Sequence, residues 1–334
     1  SDLWLIRAKK GSKRNAAKTW SPPELALGTI NTKYNDGSSA FDRKYSTIYY
    51  TQCNGADGKS KTCKLFQAKM IETQWAEEQM LGQLATVEMM RTGTTTFLEA
   101  GTIRFLDEVI DGLVEIGIRA RVGRWVWDLP PEPSVYRQST DVAIAHLEHQ
   151  LKAHSSHANG RIAAWSTLVG HTTCSDPLWK AAKSLADEYK VGLSFHMSPA
   201  QLDPDGFIAE FGQRPMAHLA EIGVLDKNVA ITHCVRIDDA EMMLMAQAGV
   251  SVAHCPTTAL KVSYGITQVG KFPEMVQNGI NVSIGTDGNN ASNYSDLMRA
   301  TYLVAGLFKD ARVDPQMFPA EKAFEMATLS GAKT

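Results

Sequence analysis

The sequence predicts an α/β fold and, within that class, a TIM-type (β/α)₈ barrel. From about residue 73 onward, apolar strand-like runs alternate with segments of helical periodicity, an order typical of a parallel sheet. The chain has 334 residues, which is enough for one eight-stranded barrel. A histidine or an aspartate stands at the end of each of the last four strand-like runs. Parallel barrels gather their functional side chains at such strand ends, so these observations favour a barrel with a site at its mouth.

Each predicted strand is a short apolar run, bounded by polar or glycine-containing segments. Seven such runs occur in order, over residues 94–98, 120–126, 162–169, 191–196, 229–233, 250–254 and 280–287. The segment 25–31 (Leu-Ala-Leu-Gly-Thr-Ile-Asn) is the candidate for the eighth strand, which would close the barrel. A doubly wound open sheet is the alternative, but it usually has a glycine-rich phosphate loop. The sequence contains neither a G-x-G-x-x-G nor a Walker motif.

Segments of helical spacing lie between the predicted strands. In the first of them, apolar residues such as Trp75, Leu84 and Val87 recur at helical intervals. The spacing therefore predicts a helix from residue 74 to residue 91, which Gly93 would end. The remaining predicted helices cover residues 105–116, 142–153, 178–189, 215–222, 238–248, 272–278, 295–308 and 320–329.

Composition and charge limit the partners that the protein is expected to have. Hydrophobic residues make up 44% of the chain and charged residues 21%, as is typical of a soluble globular protein. The net charge of -2 argues against nucleic acid, and no apolar run approaches the ~20 residues that span a membrane. Five cysteines without paired spacing, and the lack of a signal-peptide pattern, favour a cytoplasmic protein with reduced thiols. We expect a small-molecule substrate, and a homo-oligomer would be compatible with such a barrel.

The ends of the last strands carry residue types that bind metal ions. His196, His233 and His254 end three of these strands, and Asp287 ends the last one. Imidazole nitrogens and carboxylate oxygens are ligands of Zn²⁺, so their meeting at one barrel mouth predicts a metal site there. Taken alone, His254 fits a structural role better than a ligand role. Trp125 follows a strand at the same mouth, where it could contact an apolar or aromatic substrate or belong to the core packing.

Five short motifs, taken in order, resemble a known group of enzymes. They occupy residues 91–96 (Arg-Thr-Gly-Thr-Thr-Thr), 117–120, 231–239 (Ile-Thr-His-Cys-Val-Arg-Ile-Asp-Asp), 252–256 (Val-Ala-His-Cys-Pro) and 284–293. In their order and spacing the chain resembles the amidohydrolase superfamily, in the branch of aromatic deaminases and triazine chlorohydrolases. The resemblance covers about residues 75–334 and extends weakly over residues 2–45.

The resemblance implies a single Zn²⁺ or Fe²⁺ at the barrel mouth. His196 would be a metal ligand, and Asp287 would be both a ligand and the acceptor of the proton from the metal-bound water. His233 would orient that water or the substrate. A divalent metal lowers the pKa of its water to about 7, and a neighbouring carboxylate can then accept the proton. His171 matches a position near the substrate, and His254 and Trp125 are further candidates for substrate contacts.

The chain departs from the family pattern at two places in the site. The family has a His-x-His pair after its first strand, whereas Lys33 and Asn35 occupy the matching positions here. They are the candidates for the missing ligands, Lys33 in a carbamylated form. The deaminases also carry a glutamate three residues after the histidine that corresponds to His196, and this chain has Pro199 there. Ring deamination would then lack its proton donor.

These departures set the order of the functional predictions. The first is a metal-dependent hydrolase that cleaves a non-peptide C–N bond, in an amide, urea or carbamate, with a metal-activated water. A deaminase or chlorohydrolase of N-heteroaromatic rings is the alternative among enzymes. A non-catalytic or incomplete barrel is the alternative outside them, because the His-x-His pair is absent.

The resemblance also predicts the domain organisation. The family has a small β-sandwich to which both chain ends contribute, and Leu3–Ile6 matches one of its strands. We therefore expect remnants of a sandwich in a divergent segment over residues 1–24. The barrel would occupy residues 25–334 and end early, because Thr334 falls just inside the helices that follow Asp287.

Overall fold

The computed structural model describes residues 4–5, 24–25, 35–41, 47–53, 63–71, 74–78, 81–99, 101, 106–130 and 137–334. The chain forms two compact units, Ser1–Leu84 and Ala85–Thr334. The predicted division into residues 1–24 and 25–334 stays a prediction, and the compact units divide elsewhere, after Leu84.

The first unit contains antiparallel sheets. A two-stranded sheet pairs β1 (Trp4–Leu5) with β2 (Glu24–Leu25). A four-stranded sheet has its strands in sequence order: β3 (Asn35–Phe41), β4 (Thr47–Cys53), β5 (Cys63–Ile71) and β6 (Gln74–Glu78). Ile48 and Tyr50 are both fully buried, and they lie two residues apart on one face of β4, as the strand repeat requires.

Two elements predicted for the N-terminal part differ from the structure. In the segment expected to form the first barrel strand, Glu24–Leu25 pairs antiparallel with β1, and residues 26–31 lie outside the described residues. The helix predicted from residue 74 is wrong over Gln74–Glu78, which pairs antiparallel with β5. The ladder satisfies the backbone groups of this segment, and the helix α1 begins only at Leu81.

The second unit is an α/β fold with parallel sheets, as predicted. Its strands are β7 (Thr96–Leu98), β8 (Arg119–Val122), β9 (Ile162–Ala164), β10 (Ser166–Gly170), β11 (Leu193–Met197), β12 (Val229–His233), β13 (Ser251–His254) and β14 (Asn281–Ile284). β7, β8 and β9 form one parallel sheet, and β10 to β14 form another in sequence order. In the described part of the chain no pairing joins β14 to β7, so the closed barrel stays a prediction.

Helices connect the strands. They are α1 (Leu81–Arg91), α2 (Leu106–Ile116), α3 (Thr140–Ala153), α4 (Asp176–Tyr189), α5 (Leu202–Phe211), α6 (Pro215–Glu221), α7 (Asp239–Ala248), α8 (Pro256–Lys261), α9 (Phe272–Gln277), α10 (Asn289–Ser292), α11 (Leu297–Arg312), α12 (Ala320–Ala327) and α13 (Leu329–Lys333), with a 3₁₀ turn at His171–Thr173. No helix among the described residues is long and apolar enough to cross a bilayer.

The core of the second unit lies between the sheet and the helices. All residues of β10 and β11 are buried, as expected for a parallel sheet whose two faces are both covered. The single strand predicted over residues 162–169 is two strands, β9 and β10, which are separated at Trp165 and belong to different sheets. The Trp165 nitrogen donates to Val122 of β8, and the next residue, Ser166, donates to Gly192 just before β11. A parallel bridge between Val126 and Leu168 lies beyond this point.

Candidate functional site

The carboxyl ends of β10, β11, β12 and β14 bring four of the predicted site residues to one edge of the sheet. In the register of the sheet His196 lies opposite Thr232, so His233 lies one residue further along the neighbouring strand. His171, His233 and Asp287 all have positive φ angles, at 52°, 81° and 62°. Such conformations cost about 1–3 kcal/mol each for residues other than glycine, and they concentrate at functional sites.

His196 is held in a defined orientation. Its side chain is buried, and its Nδ1 atom lies 3.0 Å from the Val169 carbonyl oxygen. A carbonyl can only accept, so Nδ1 carries the proton and Nε2 keeps its lone pair. Burial, with a smaller contribution from His171, lowers the pKa of His196 to about 3, so the ring is neutral at neutral pH. The ring is 5.1 Å from Trp125 in an edge-on arrangement and 5.4 Å from His233.

His233 and Asp287 face each other across the same edge. The His233 Nε2 atom lies 3.9 Å from the Asp287 Oδ2 atom. Burial, helped by the other site histidines, holds the pKa of His233 well below its usual value. Burial raises the pKa of Asp287, and the Gly288 N–H, which donates to Oδ1 at 2.6 Å, opposes that rise. A carboxylate with a raised pKa is a better proton acceptor than an exposed one.

Tyr264 adds an aromatic wall that the sequence analysis did not identify. Its ring lies 5.7 Å from the His233 ring in an edge-on arrangement. Burial raises the pKa of the Tyr264 hydroxyl, and the charge of Asp287 adds to the rise. The hydroxyl therefore stays protonated at neutral pH.

His171 is fixed by a buried carboxylate that the sequence analysis missed. The His171 Nδ1 atom donates to Asp203 Oδ2 at 2.7 Å, and the same oxygen accepts from the Ser198 N–H at 2.7 Å. Asp203 is 4% exposed, and the His171 ring stacks 5.7 Å from the His196 ring. An aspartate in the first turn of a helix that follows a strand-end histidine is the only signal that could have indicated it.

The remaining predicted site residues are His254, Lys33 and Asn35. His254 is 1% exposed, its ring is 3.8 Å from Phe272, and neither ring nitrogen has a hydrogen-bond partner among the described residues. Its predicted substrate contact stays a prediction. Lys33 lies outside the described residues, and Asn35 begins β3, an antiparallel strand of the first unit, rather than the end of a parallel strand.

The described residues do not complete a metal site by themselves. His196 offers a free Nε2 atom and Asp287 offers a carboxylate, and both are suitable zinc ligands. Within the described ranges, however, no three His, Cys, Asp or Glu side chains lie close enough together to hold a metal ion.

Buried histidines beside a carboxylate, at the carboxyl ends of parallel strands, define an α/β protein with an enzyme-like polar site. The chain belongs to the amidohydrolase family, whose model matches residues 66–334. It is 33% identical over 252 residues to a 5-methylthioadenosine/S-adenosylhomocysteine deaminase of Syntrophobacter fumaroxidans. The alignment covers 75% of this chain and 55% of the relative. The resemblance seen in the sequence motifs is thereby confirmed.

Solved structures agree with the fold. An adenosine deaminase from Xanthomonas campestris with bound zinc superposes with a TM-score of 0.66 at 27% identity, covering 75% of this chain and 55% of that one. An atrazine chlorohydrolase from Arthrobacter aurescens in complex with zinc gives a TM-score of 0.67 at 21% identity, over 75% of this chain and 58% of that one. The chain thus spans about half the length of the relatives that it matches.

Proposed function

We propose that the protein is a hydrolase that cleaves a non-peptide C–N bond in a small molecule. The observation that carries this proposal is the meeting of His196, His233 and Asp287 at the carboxyl ends of β11, β12 and β14, three parallel strands of one sheet. Family membership supports it, because relatives of this chain are described as deaminases, which remove an amine by hydrolysis.

Asp287 is the proton acceptor in this proposal. Its raised pKa lets the carboxylate take a proton from an attacking water and pass it to the departing nitrogen. His233, 3.9 Å from Asp287 and neutral because of its lowered pKa, orients the water or the substrate through a hydrogen bond. Tyr264 and Trp125 exclude water from the sides of the two histidines.

A divalent metal belongs to the proposal. His196 and Asp287 would hold it, and it would supply an activated water at neutral pH. Zinc is named for the adenosine deaminase and chlorohydrolase neighbours, whereas iron is an expectation from the family resemblance alone. Further ligands would have to come from outside the described set, and Lys33 and Asn35 remain the candidates. Closure of the barrel by an eighth strand belongs to the same proposal.

The substrate class follows from the relatives and from one sequence departure. If this chain acts as its relatives are described, the bond cleaved is the C–N bond that joins the amine to the ring of an adenine-type nucleoside. Pro199 stands where the deaminases have an acid, which favours amides, ureas or carbamates over aromatic rings. A cytoplasmic location and a homo-oligomeric state stay predictions from the sequence.

Ammonia or amine release measures the proposed reaction directly. The purified chain, with its metal content measured by elemental mass spectrometry, is incubated with 5-methylthioadenosine, 5′-deoxyadenosine and panels of ureas, carbamates and amides. Asp287→Asn should lower any turnover about 10²-fold or more, since a general base typically contributes that much. Asp310→Asn, the same change at an exposed position of α11, is the matched control. Turnover that survives Asp287→Asn would refute the assigned role, and turnover of none of these compounds would refute the proposed reaction.

A further inference from the structure

The candidate site presents several hydrogen-bond acceptors to a substrate. Nδ1 of His171 donates to Asp203, and Nδ1 of His196 donates to the Val169 carbonyl, so Nε2 of each ring has a lone pair when the ring is neutral. The Asp287 carboxylate is a further acceptor when it is ionised. Water that adds to a carbonyl carbon or to an aromatic carbon leaves negative charge on the neighbouring oxygen or nitrogen. A hydrogen-bond donor is needed to stabilise that charge.

Tyr264 brings a donor to the same edge of the sheet. Its ring lies 5.7 Å from the His233 ring in an edge-on arrangement, and the His233 Nε2 atom lies 3.9 Å from the Asp287 Oδ2 atom. Burial raises the pKa of the Tyr264 hydroxyl, and the charges of Asp287 and Asp203 add to the rise. The hydroxyl is therefore within electrostatic reach of both carboxylates, and it keeps its proton at neutral pH.

The Tyr264 hydroxyl is available to a ligand. The side chain is partly exposed, and its oxygen makes no hydrogen bond to another described residue. A tyrosine that packs against a core usually finds a partner for its hydroxyl within the protein. The Tyr264 ring does pack against the core of the second unit, but its donor is left unused.

The backbone holds Tyr264 in place from both sides. Its N–H donates to the Ala259 carbonyl at 3.0 Å, and the Gly265 carbonyl accepts from the Gln268 N–H at 3.0 Å. Ser263 and Gly265, the residues before and after it, have φ angles of 62° and 82°. For Ser263 such a conformation is unfavourable, and strained residues of this kind concentrate at functional sites. A donor on a segment fixed in this way needs little reorganisation when charge develops on a substrate.

We propose that Tyr264 is a catalytic residue whose hydroxyl donates a hydrogen bond to the substrate atom that gains negative charge when water adds. That atom is the carbonyl oxygen of an amide, urea or carbamate, or the ring nitrogen next to the attacked carbon of an aromatic substrate. The hydroxyl keeps its proton, so the transfer of a proton from the water to the departing nitrogen stays with Asp287. The inference rests on the proposed hydrolysis. It supplies a donor in a site where Pro199 stands in place of the acid of the deaminases.

Tyr264→Phe separates this role from packing alone. The substitution keeps the ring beside His233 and removes only the oxygen atom. Because that oxygen bonds to no described residue, the free energy of unfolding in urea should not change. The kcat for a compound that the protein hydrolyses should fall about 10²-fold, as when one donor to a developing charge is removed elsewhere. KM should change little, since the hydrogen bond strengthens only as the charge develops.

The matched control is Tyr302→Phe, the same change at an exposed position of α11, which should retain kcat. Both variants and the unaltered protein are assayed with the compounds named for the proposed reaction. A loss of kcat with ureas, carbamates or amides identifies the carbonyl oxygen as the acceptor of the hydrogen bond. A loss with 5-methylthioadenosine identifies the ring nitrogen.

The outcomes distinguish a failure of this inference from a failure of the proposed function. Equal kcat in Tyr264→Phe and the unaltered protein would overturn the role of Tyr264 and leave the proposed hydrolysis standing. A raised KM with unchanged kcat would overturn it too, because the hydroxyl would then act in binding alone. A loss of kcat that comes with a lower free energy of unfolding would assign Tyr264 to packing instead. Turnover of none of the compounds by the unaltered protein would refute the hydrolysis, and the role of Tyr264 with it.

Discussion

Gly170 lies at the end of β10, directly before His171, and its replacement by alanine tests how the site is held together. The residue has φ +86° and ψ -139°, a conformation close to a region that only glycine adopts readily. A Cβ atom there would lie 2.2 Å from the His196 carbonyl oxygen and 2.9 Å from the His196 nitrogen. Both contacts are to backbone atoms, so rotation of a side chain cannot relieve them. The substitution must push β10 away from β11.

The magnitude follows from two costs that add. The backbone conformation costs about 1–3 kcal/mol for a residue with a side chain. The overpacking between the strands adds about 1–3 kcal/mol. Gly170→Ala should therefore lower the free energy of unfolding by about 4 kcal/mol. Gly279→Ala is the matched control, because Gly279 has φ +82° but nothing lies within 4 Å of its added Cβ. Only the conformational cost applies there, about 1–2 kcal/mol.

Urea titration monitored by tryptophan fluorescence gives the change in the free energy of unfolding for each of the two variants relative to the unaltered protein. Any hydrolytic turnover should fall with Gly170→Ala and persist with Gly279→Ala, because only the first substitution displaces His196 and His171. If the two variants lose the same stability, the close approach of β10 and β11 at Gly170 is not what fixes the site.

Two further predictions concern buried side chains. Asp203→Leu leaves the His171 and Ser198 N–H groups without their acceptor, so turnover and stability should both fall, by about 2 kcal/mol or more in the free energy of unfolding. Asp203→Asn can keep an oxygen in that place and should restore most of kcat; failure to restore it in a folded protein would show that the charge matters instead. His254, with a pKa lowered by burial to about 3, stays neutral when folded but is protonated below pH 6.5 when unfolded. The free energy of unfolding should therefore decline as the pH falls from about 6.5 toward 3, by up to about 1.4 kcal/mol per pH unit from this residue. His254→Leu should remove that part of the slope in urea titrations from pH 7 to pH 4, and an unchanged slope would contradict the assignment.

Most of the second unit could be predicted from the sequence, because its strands are buried on both faces. Such strands are continuous apolar runs, and the run that ends at His233 needs no knowledge of its neighbours to be recognised. The functional side chains could be predicted from the sequence for a related reason. A histidine or an aspartate that interrupts an apolar run marks the point where a strand leaves the core, as at His196 and Asp287.

The four-stranded sheet of the first unit was not predicted because the local residue pattern does not identify its strands, although each strand pairs with the next one along the chain. β6 carries a tryptophan and two glutamates, and nothing local distinguishes them from the first turn of an amphipathic helix. Its pairing with β5 decides the outcome, since the ladder provides the hydrogen bonds that a helix would otherwise supply. Asp203 was missed for a different reason, because its partner His171 is distant in the sequence, with α4 and β11 between them.

The tautomer of His171 connects the candidate site with the kind of bond that it could cleave. Asp203 accepts the proton of Nδ1, so Nε2 is left as the acceptor of a neutral ring. His196 is in the same state, because Val169 accepts from its Nδ1. Both imidazoles thus present a lone pair rather than an N–H group: that of His196 is the one that would hold a metal, and that of His171 can accept from a substrate. A substrate that offers N–H groups of its own, such as an amine, amide or urea, matches that surface better than one that offers only acceptors.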